Sequence, residues 1–184
     1  MIDYFVLMIH HNVQVNTFFV LIQQVATSIV EIDEAVLGKK AKNQRGRRYK
    51  NTWVFGMVER QTRNLSLHVV GDRRKETLIP ILQKHVSTRA KIFHDDWASY
   101  RSLNSYGYDH ATVNHTKEFV SPEGTCTNTI EGIWGLVKAR IRKMHGIANR
   151  RQTQDVLDEF VYRYRHTGMV FNSLLRDIAK KYPV

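Results

Sequence analysis

Apolar and polar residues alternate through residues 27–36, TSIVEIDEAV, and the β-branched content of the run predicts a strand. The alternation sets Glu31, Asp33 and Ala35 on one face and Ile32, Glu34 and Val36 on the other. Two further β-rich runs, TWVFGMVER (52–60) and LSLHVVG (65–71), flank the short polar QTRN, so a hairpin and three consecutive antiparallel strands are expected. In ETLIPILQKHV (76–86) the residues Leu78, Ile81, Leu82 and Val86 share one helical face, with Pro80 expected near the first turn. KIFHDD (91–96) reads as a short buried strand ending in two carboxylates, WASYRSLNSYGY (97–108) as a helix stopping near Gly107, and HATVNH (110–115) as another strand. TNTIEGIWGLVKARIRKM (127–144) carries an apolar stripe of Ile130, Ile133, Trp134, Val137 and Ile141, with Thr127 or Asn128 as its cap, and TQDVLDEFVYRYRH (153–166) repeats the pattern. The order predicts one α/β domain, a mixed sheet flanked by helices.

Length and composition, 184 residues at 42% hydrophobic, suit one domain with a core of its own. Residues 1–25 are an apolar extension in which His10, His11, Asn12, Gln14 and Asn16 interrupt any membrane span, and no basic start or cleavage site marks a signal peptide. Packed structure or the remnant of a longer N-terminal region is expected there. The domain itself is placed at residues 26–168, and residues 169–184 form a helical tail. Charge changes the picture most: 28 Lys and Arg against 17 Asp and Glu give +11, which favours a polyanion, nucleic acid above all, over a membrane or ribosomal surface. The single cysteine, Cys126, excludes an internal disulfide and a multi-cysteine zinc finger and fits a reducing compartment. The basic run 37–51, LGKKAKNQRGRRYKN, is either a solvated linker or a DNA-contacting arm.

Three acidic positions carry candidate chemistry. Asp33 lies mid-strand, where a carboxylate is costly unless it is paired, lies on a solvated edge strand or holds a metal. Asp95 and Asp96 stand where a strand leaves the sheet, a position that collects ligands and equally suits a helix cap. Glu131 lies in an apolar helix, with Asn128 three residues before it and Lys138 seven after it on the same face. Such carboxylates can converge to hold two hard cations that prefer oxygen ligands and leave positions open for a phosphate. Trp97 and Tyr100 offer base stacking or core packing, and His94 and His115 offer proton transfer or structural hydrogen bonds.

VEIDEAVLGKK, WVFGMVER, HDDWASY, VNHTKEFV with the glycine-containing turn after it, TNTIEGIWGLVKARIR and EFVYRYRH together resemble the DDE transposases of ISXO-type insertion sequences and their Merlin-like eukaryotic relatives, from about residue 30 to about residue 165. The resemblance implies a ribonuclease-H-like fold. It also implies catalytic, metal-binding Asp33, Asp95 (of an Asp-x-Trp motif, with Asp96 the alternative) and Glu131 (of an Asn-x-x-Glu-x-x-Trp motif), with Asn128 a lesser ligand. Two Mg²⁺ or Mn²⁺ ions are the implied cofactors, transposon ends and target DNA the partners, and a homodimer the expected assembly. Lys138, Arg140, Arg142 and Lys143, with Lys39, Lys40, Arg45, Arg47 and Arg48, would hold phosphates. The chain is expected to lack the DNA-end-binding module that usually precedes this core. Two rival readings share the residues: a domesticated or truncated DNA-binding remnant, and a ribonuclease-H-like nuclease that hydrolyses without joining. The expected location is the nucleus in a eukaryote, and the cytoplasm or nucleoid in a bacterium.

Overall fold

The computed structural model describes residues 28–38, 52–113, 127–144 and 150–182; the N-terminal extension, the basic arm with Lys39, Lys40, Arg45, Arg47 and Arg48, His115 and Cys126 lie outside them. The β-branched runs form β1 (Ile29–Leu37), β2 (Thr52–Glu59) and β3 (Leu65–Val70), then α1 (Lys75–His85), β4 (Lys91–Asp95), β5 (Asp109–Val113), α2 (Asn128–Lys143), α3 (Arg150–Arg165) and α4 (Val170–Lys181). The sheet order is β3-β2-β1-β4-β5. β1 to β3 are antiparallel neighbours, whereas β4 joins β1 and β5 in parallel. This is the expected ribonuclease-H-like mixed sheet, and it puts β1 at the centre.

The central strand is buried on both faces, so its alternating side chains serve two cores. Val30 and Ile32 pack with Phe55, Met57, Leu78, Leu82 and Ile92 under α1. Ala35 and Leu37 pack with Val54, Leu65, Ile130, Trp134 and Leu157 under α2 and α3. Each fully buried Leu, Ile or Phe contributes roughly 1.5–3 kcal/mol. β3 is the strand at one edge of the sheet, and α3 closes part of it. The Gln154 amide accepts from Val69 N–H at 2.8 Å and donates to Leu67 O at 3.0 Å, standing in for a neighbouring strand.

Three local expectations are corrected. Residues 97–108 form two short 3-10 turns, 98–100 and 103–106, not an α-helix; Gly107 closes the second at φ 85°. Serine side chains bond main-chain oxygens there: Ser99 Oγ donates to Arg73 O, and Ser105 Oγ to Ser102 O, which competes with helix formation. Pro80 lies inside α1 and not in its first turn, because the helix begins at Lys75. Thr127 occupies the N-cap position of α2 but makes no side-chain cap bond; its hydroxyl goes to Glu131 Oε1 at 3.0 Å.

Candidate active site

The cap of α2 comes from the sheet. Glu31 is fully buried, and its Oε2 accepts from Ile130 N–H at 3.0 Å while Oε1 accepts from Arg60 Nε at 2.6 Å. Ile130 is the third residue of α2, where main-chain N–H groups have no partner within the helix and attract negative charge. One carboxylate of β1 thus fixes the start of α2 and, one residue further on, Glu131.

Trp134, one turn later, reaches back to β1 and donates from Nε1 to Asp33 Oδ2 at 2.9 Å. Gly56 on β2, paired with Asp33 in the ladder, lets the ring pass: a Cβ there would lie 2.7 Å from Trp134 Cζ2 and 3.0 Å from Ile130 Cδ1. Gly56→Ala is expected to cost about 1–3 kcal/mol and displace the indole, seen as a lower Tm and altered tryptophan fluorescence. An unchanged melt would show that the close approach is dispensable.

β1 and β4 run parallel with Glu31 opposite Phe93. Two residues beyond this last pair come Asp33 and Asp95, on the same face by strand alternation and close enough for the Asp95 charge to act on Asp33. Asp95 Oδ1 is buried without a hydrogen-bond partner among the described residues. Asp96 instead projects outward, its side chain 62% exposed, and lies 3.8 Å from Arg101.

Electrostatics tie the three acids together. Burial pushes the Asp33 carboxyl from 3.8 to about 6, and the negative charges of Asp95 and Glu131 push it the same way, against the bonds from Glu34 N–H and Trp134. Among the described residues no three His, Cys, Asp or Glu side chains gather as one ready metal cluster. The donor chemistry nevertheless suits a hard divalent cation: carboxylate oxygens that repel one another, one of them buried without a hydrogen-bond partner, whose repulsion such a cation would relieve.

On the other face of β1, Glu34 is almost wholly buried at its side chain and 3.7 Å from the Arg73 guanidinium. Burial, then the charges of Asp33 and Asp95, push its carboxyl up to about 8. Arg73 lies between two indoles, 4.1 Å from the Trp53 ring and 3.8 Å from the Trp97 ring. Its main-chain oxygen accepts from Trp97 Nε1 at 3.1 Å and from Ser99 Oγ at 2.7 Å.

Asp33, Asp95 and Glu131 are therefore brought within electrostatic reach of one another. Asn128, Lys138, Arg142 and Lys143 are exposed along α2, whereas Arg140 is bound to Glu159 at 3.0 Å. Trp97 and Tyr100 pack, Tyr100 with no exposure and Trp97 against Arg73. His94 is buried, with its Nε2 2.8 Å from His110 Nδ1. Sequence reasoning missed Glu31 as a helix cap, Gly56 as the gap for Trp134, and Arg73 altogether. A glycine inside a strand was the one signal available for the second.

A curated relative, described as an uncharacterised transposase-like protein of Haemophilus influenzae, is 25% identical over 113 residues, covering 61% of this chain and 90% of the relative. Among solved structures, a chain of the simian T-cell lymphotropic virus intasome in complex with PP2A regulatory subunit B56 gamma matches at TM-score 0.51 and 13% identity, over 76% of this chain. This chain spans about half of that one, 49%, and the likeness is one of fold. The HTLV-2 integrase catalytic core domain in complex with magnesium, in its trimeric form, matches at TM-score 0.49 and 14% identity, over 79% of this chain and 89% of that one. The family profile of the ISXO2-like transposase domain matches residues 25–165, and this chain belongs to that family.

Proposed function

We propose that this chain is the catalytic domain of a DDE-type transposase that cuts DNA at the ends of a mobile element and joins them to a target, with Asp33, Asp95 and Glu131 holding two Mg²⁺ or Mn²⁺ ions. The observation that carries this reading is the placement of Asp33 on β1, Asp95 at the end of β4 and Glu131 in the first turn of α2, near enough for both charges to act on a largely buried Asp33 carboxyl. Negative charge from β1, β4 and α2 concentrated at one point costs stability, and a bound cation offsets it. When bound, paired divalent ions activate a water or a DNA 3′-hydroxyl and neutralise the leaving oxygen of an in-line displacement.

The protein's own part is placement. Trp134 N–H holds Asp33 Oδ2 and Glu34 N–H also bonds that carboxyl, Thr127 holds one oxygen of Glu131, and the buried Oδ1 of Asp95 has no hydrogen-bond partner among the described residues. Lys138, Arg142 and Lys143 follow Glu131 along α2 and would hold DNA phosphates on either side of the acids. Arg140, committed to Glu159, serves packing. The basic arm, with Lys39, Lys40, Arg45, Arg47 and Arg48, would extend this contact, Asn128 would be an accessory ligand, and two copies would bring two DNA ends together.

The test is metal-dependent cleavage and strand transfer on DNA carrying the element's ends, with the parent chain, Asp33→Asn, Asp95→Asn and Glu131→Gln. Activity in Mg²⁺ or Mn²⁺, lost in all three variants while DNA binding persists, is the expected result. A folded parent chain that binds these ends and never cuts them would instead make it a DNA-binding remnant. Hydrolysis without joining would make it a nuclease.

A further inference from the structure

We propose that Arg73 is a positioning residue for the acid site: its guanidinium, clamped between Trp53 and Trp97 and set against Glu34, fixes the chain leaving β4 and thereby the orientation of Asp95. The inference rests on the reading of Asp33 and Asp95 as metal ligands. Trp53 belongs to β2, Glu34 to β1, and Trp97 to the segment just past Asp95, so one side chain ties three stretches of backbone that surround the acids. The tie is doubled through the main chain, where Arg73 O accepts from both Trp97 Nε1 and Ser99 Oγ.

Several features mark this as a built device and not a surface ion pair. The guanidinium carbon lies over both indole rings, and a lysine ammonium, although it too is drawn to a ring face, lacks the plane that stacks on them. The Glu34 carboxyl group facing it is 1% exposed at its side chain. Two residues before Trp97, Asp95 makes no side-chain hydrogen bond of its own through its buried Oδ1. Residues 96–106 form 3-10 turns and bends and no α-helix of their own, so the exit from β4 takes its course from side-chain contacts. A ligand carboxylate whose buried oxygen has no hydrogen-bond partner takes its orientation largely from the backbone that carries it, and groups that orient metal ligands from behind typically matter 10–100-fold in metal affinity.

The experiment is Mn²⁺ binding by isothermal titration calorimetry, with DNA binding in metal-free buffer measured in parallel, on the parent chain, Arg73→Ala, Arg73→Lys, Trp97→Phe, Asp33→Asn and the surface control Arg89→Ala. Arg73→Ala and Arg73→Lys are expected to weaken Mn²⁺ binding at least about 10-fold with DNA affinity unchanged. Trp97→Phe, which keeps a ring but not the N–H, should fall between them and the parent, and Arg89→Ala should match the parent. Guanidinium at a sub-denaturing concentration should restore Mn²⁺ binding to Arg73→Ala by refilling the gap between the rings, whereas a merely unstable variant would worsen. If the parent binds Mn²⁺, Asp33→Asn does not, and folded Arg73→Lys and Trp97→Phe both bind as the parent does, the positioning role is overturned while the metal reading stands. Loss of DNA affinity with Mn²⁺ binding intact would also overturn it, making Arg73 a phosphate contact. A parent chain that binds no Mn²⁺ removes the metal reading and this role with it.

Discussion

Asparagine at position 33 is expected to give a chain that is more stable without metal and silent in catalysis. The folded-state carboxyl of Asp33 sits at about 6 against an ordinary 3.8, so the fold favours its protonated form. That preference is fully present below pH 4 and is lost as pH rises through 6, leaving a penalty of about 3 kcal/mol at neutral pH, from roughly two pH units at about 1.4 kcal/mol each. An asparagine amide oxygen still accepts from Trp134 Nε1 and carries no charge. Denaturant melts of metal-free protein should therefore show Asp33→Asn ahead by up to about 3 kcal/mol at pH 7, with the gap closing toward pH 4. Cleavage should fall at least about 1,000-fold, the equivalent of losing several kcal/mol of charge stabilisation at the reacting phosphate. A gain independent of pH, or no gain at pH 7, would show that the Asp33 charge is not strained in the fold.

Glu31→Ala is expected to be the most damaging single change to stability. It takes the Glu31 carboxylate from the Arg60 guanidinium, whose side chain is 23% exposed, and leaves Ile130 N–H without its acceptor. Breaking a buried pair from one side costs about 3–5 kcal/mol, and the lower end applies because Arg60 can turn toward water. For a domain of this size that corresponds to a Tm lowered by about 6–12 °C. Glu31→Gln should fall between the two, since its amide oxygen can still receive Ile130 N–H. An alanine variant that melts with the parent would mean that α2 is held by packing alone.

The contrast between Glu31 and Asp33 shows what the linear pattern can and cannot say. Both lie on the same face of the same strand, and alternation identifies both as acids in an apolar run. Their roles diverge through partners far along the chain: the Ile130 N–H for one, and for the other the Trp134 indole with the like charges of Asp95 and Glu131. Periodicity is local and carried the three antiparallel strands, the helices and the end of β4 faithfully. It failed at residues 97–108, where apolar residues at helical spacing were overruled by serine hydroxyls that bond the main chain. The Trp97 motif singled out Asp95 and not Asp96; in the fold Asp96 turns outward toward Arg101 while Asp95 Oδ1 is buried. Arg73 had no legible signal, because an arginine in a turn looks like any exposed arginine until the rings on either side of it are known.

The bonds that join β1 to α2 have a consequence for biosynthesis. Glu31 meets Ile130 across 99 positions and Asp33 meets Trp134 across 101, so neither can form until the ribosome has released the intervening chain. Until then the emerging sheet carries Glu31 and Asp33 without their partners on α2, a state that disfavours early closure of the central strand. A nascent chain thus brings Glu131 to Asp33 and Asp95 only after α2 has docked, so the three acids assemble last and together, an order written into the sequence of the elements.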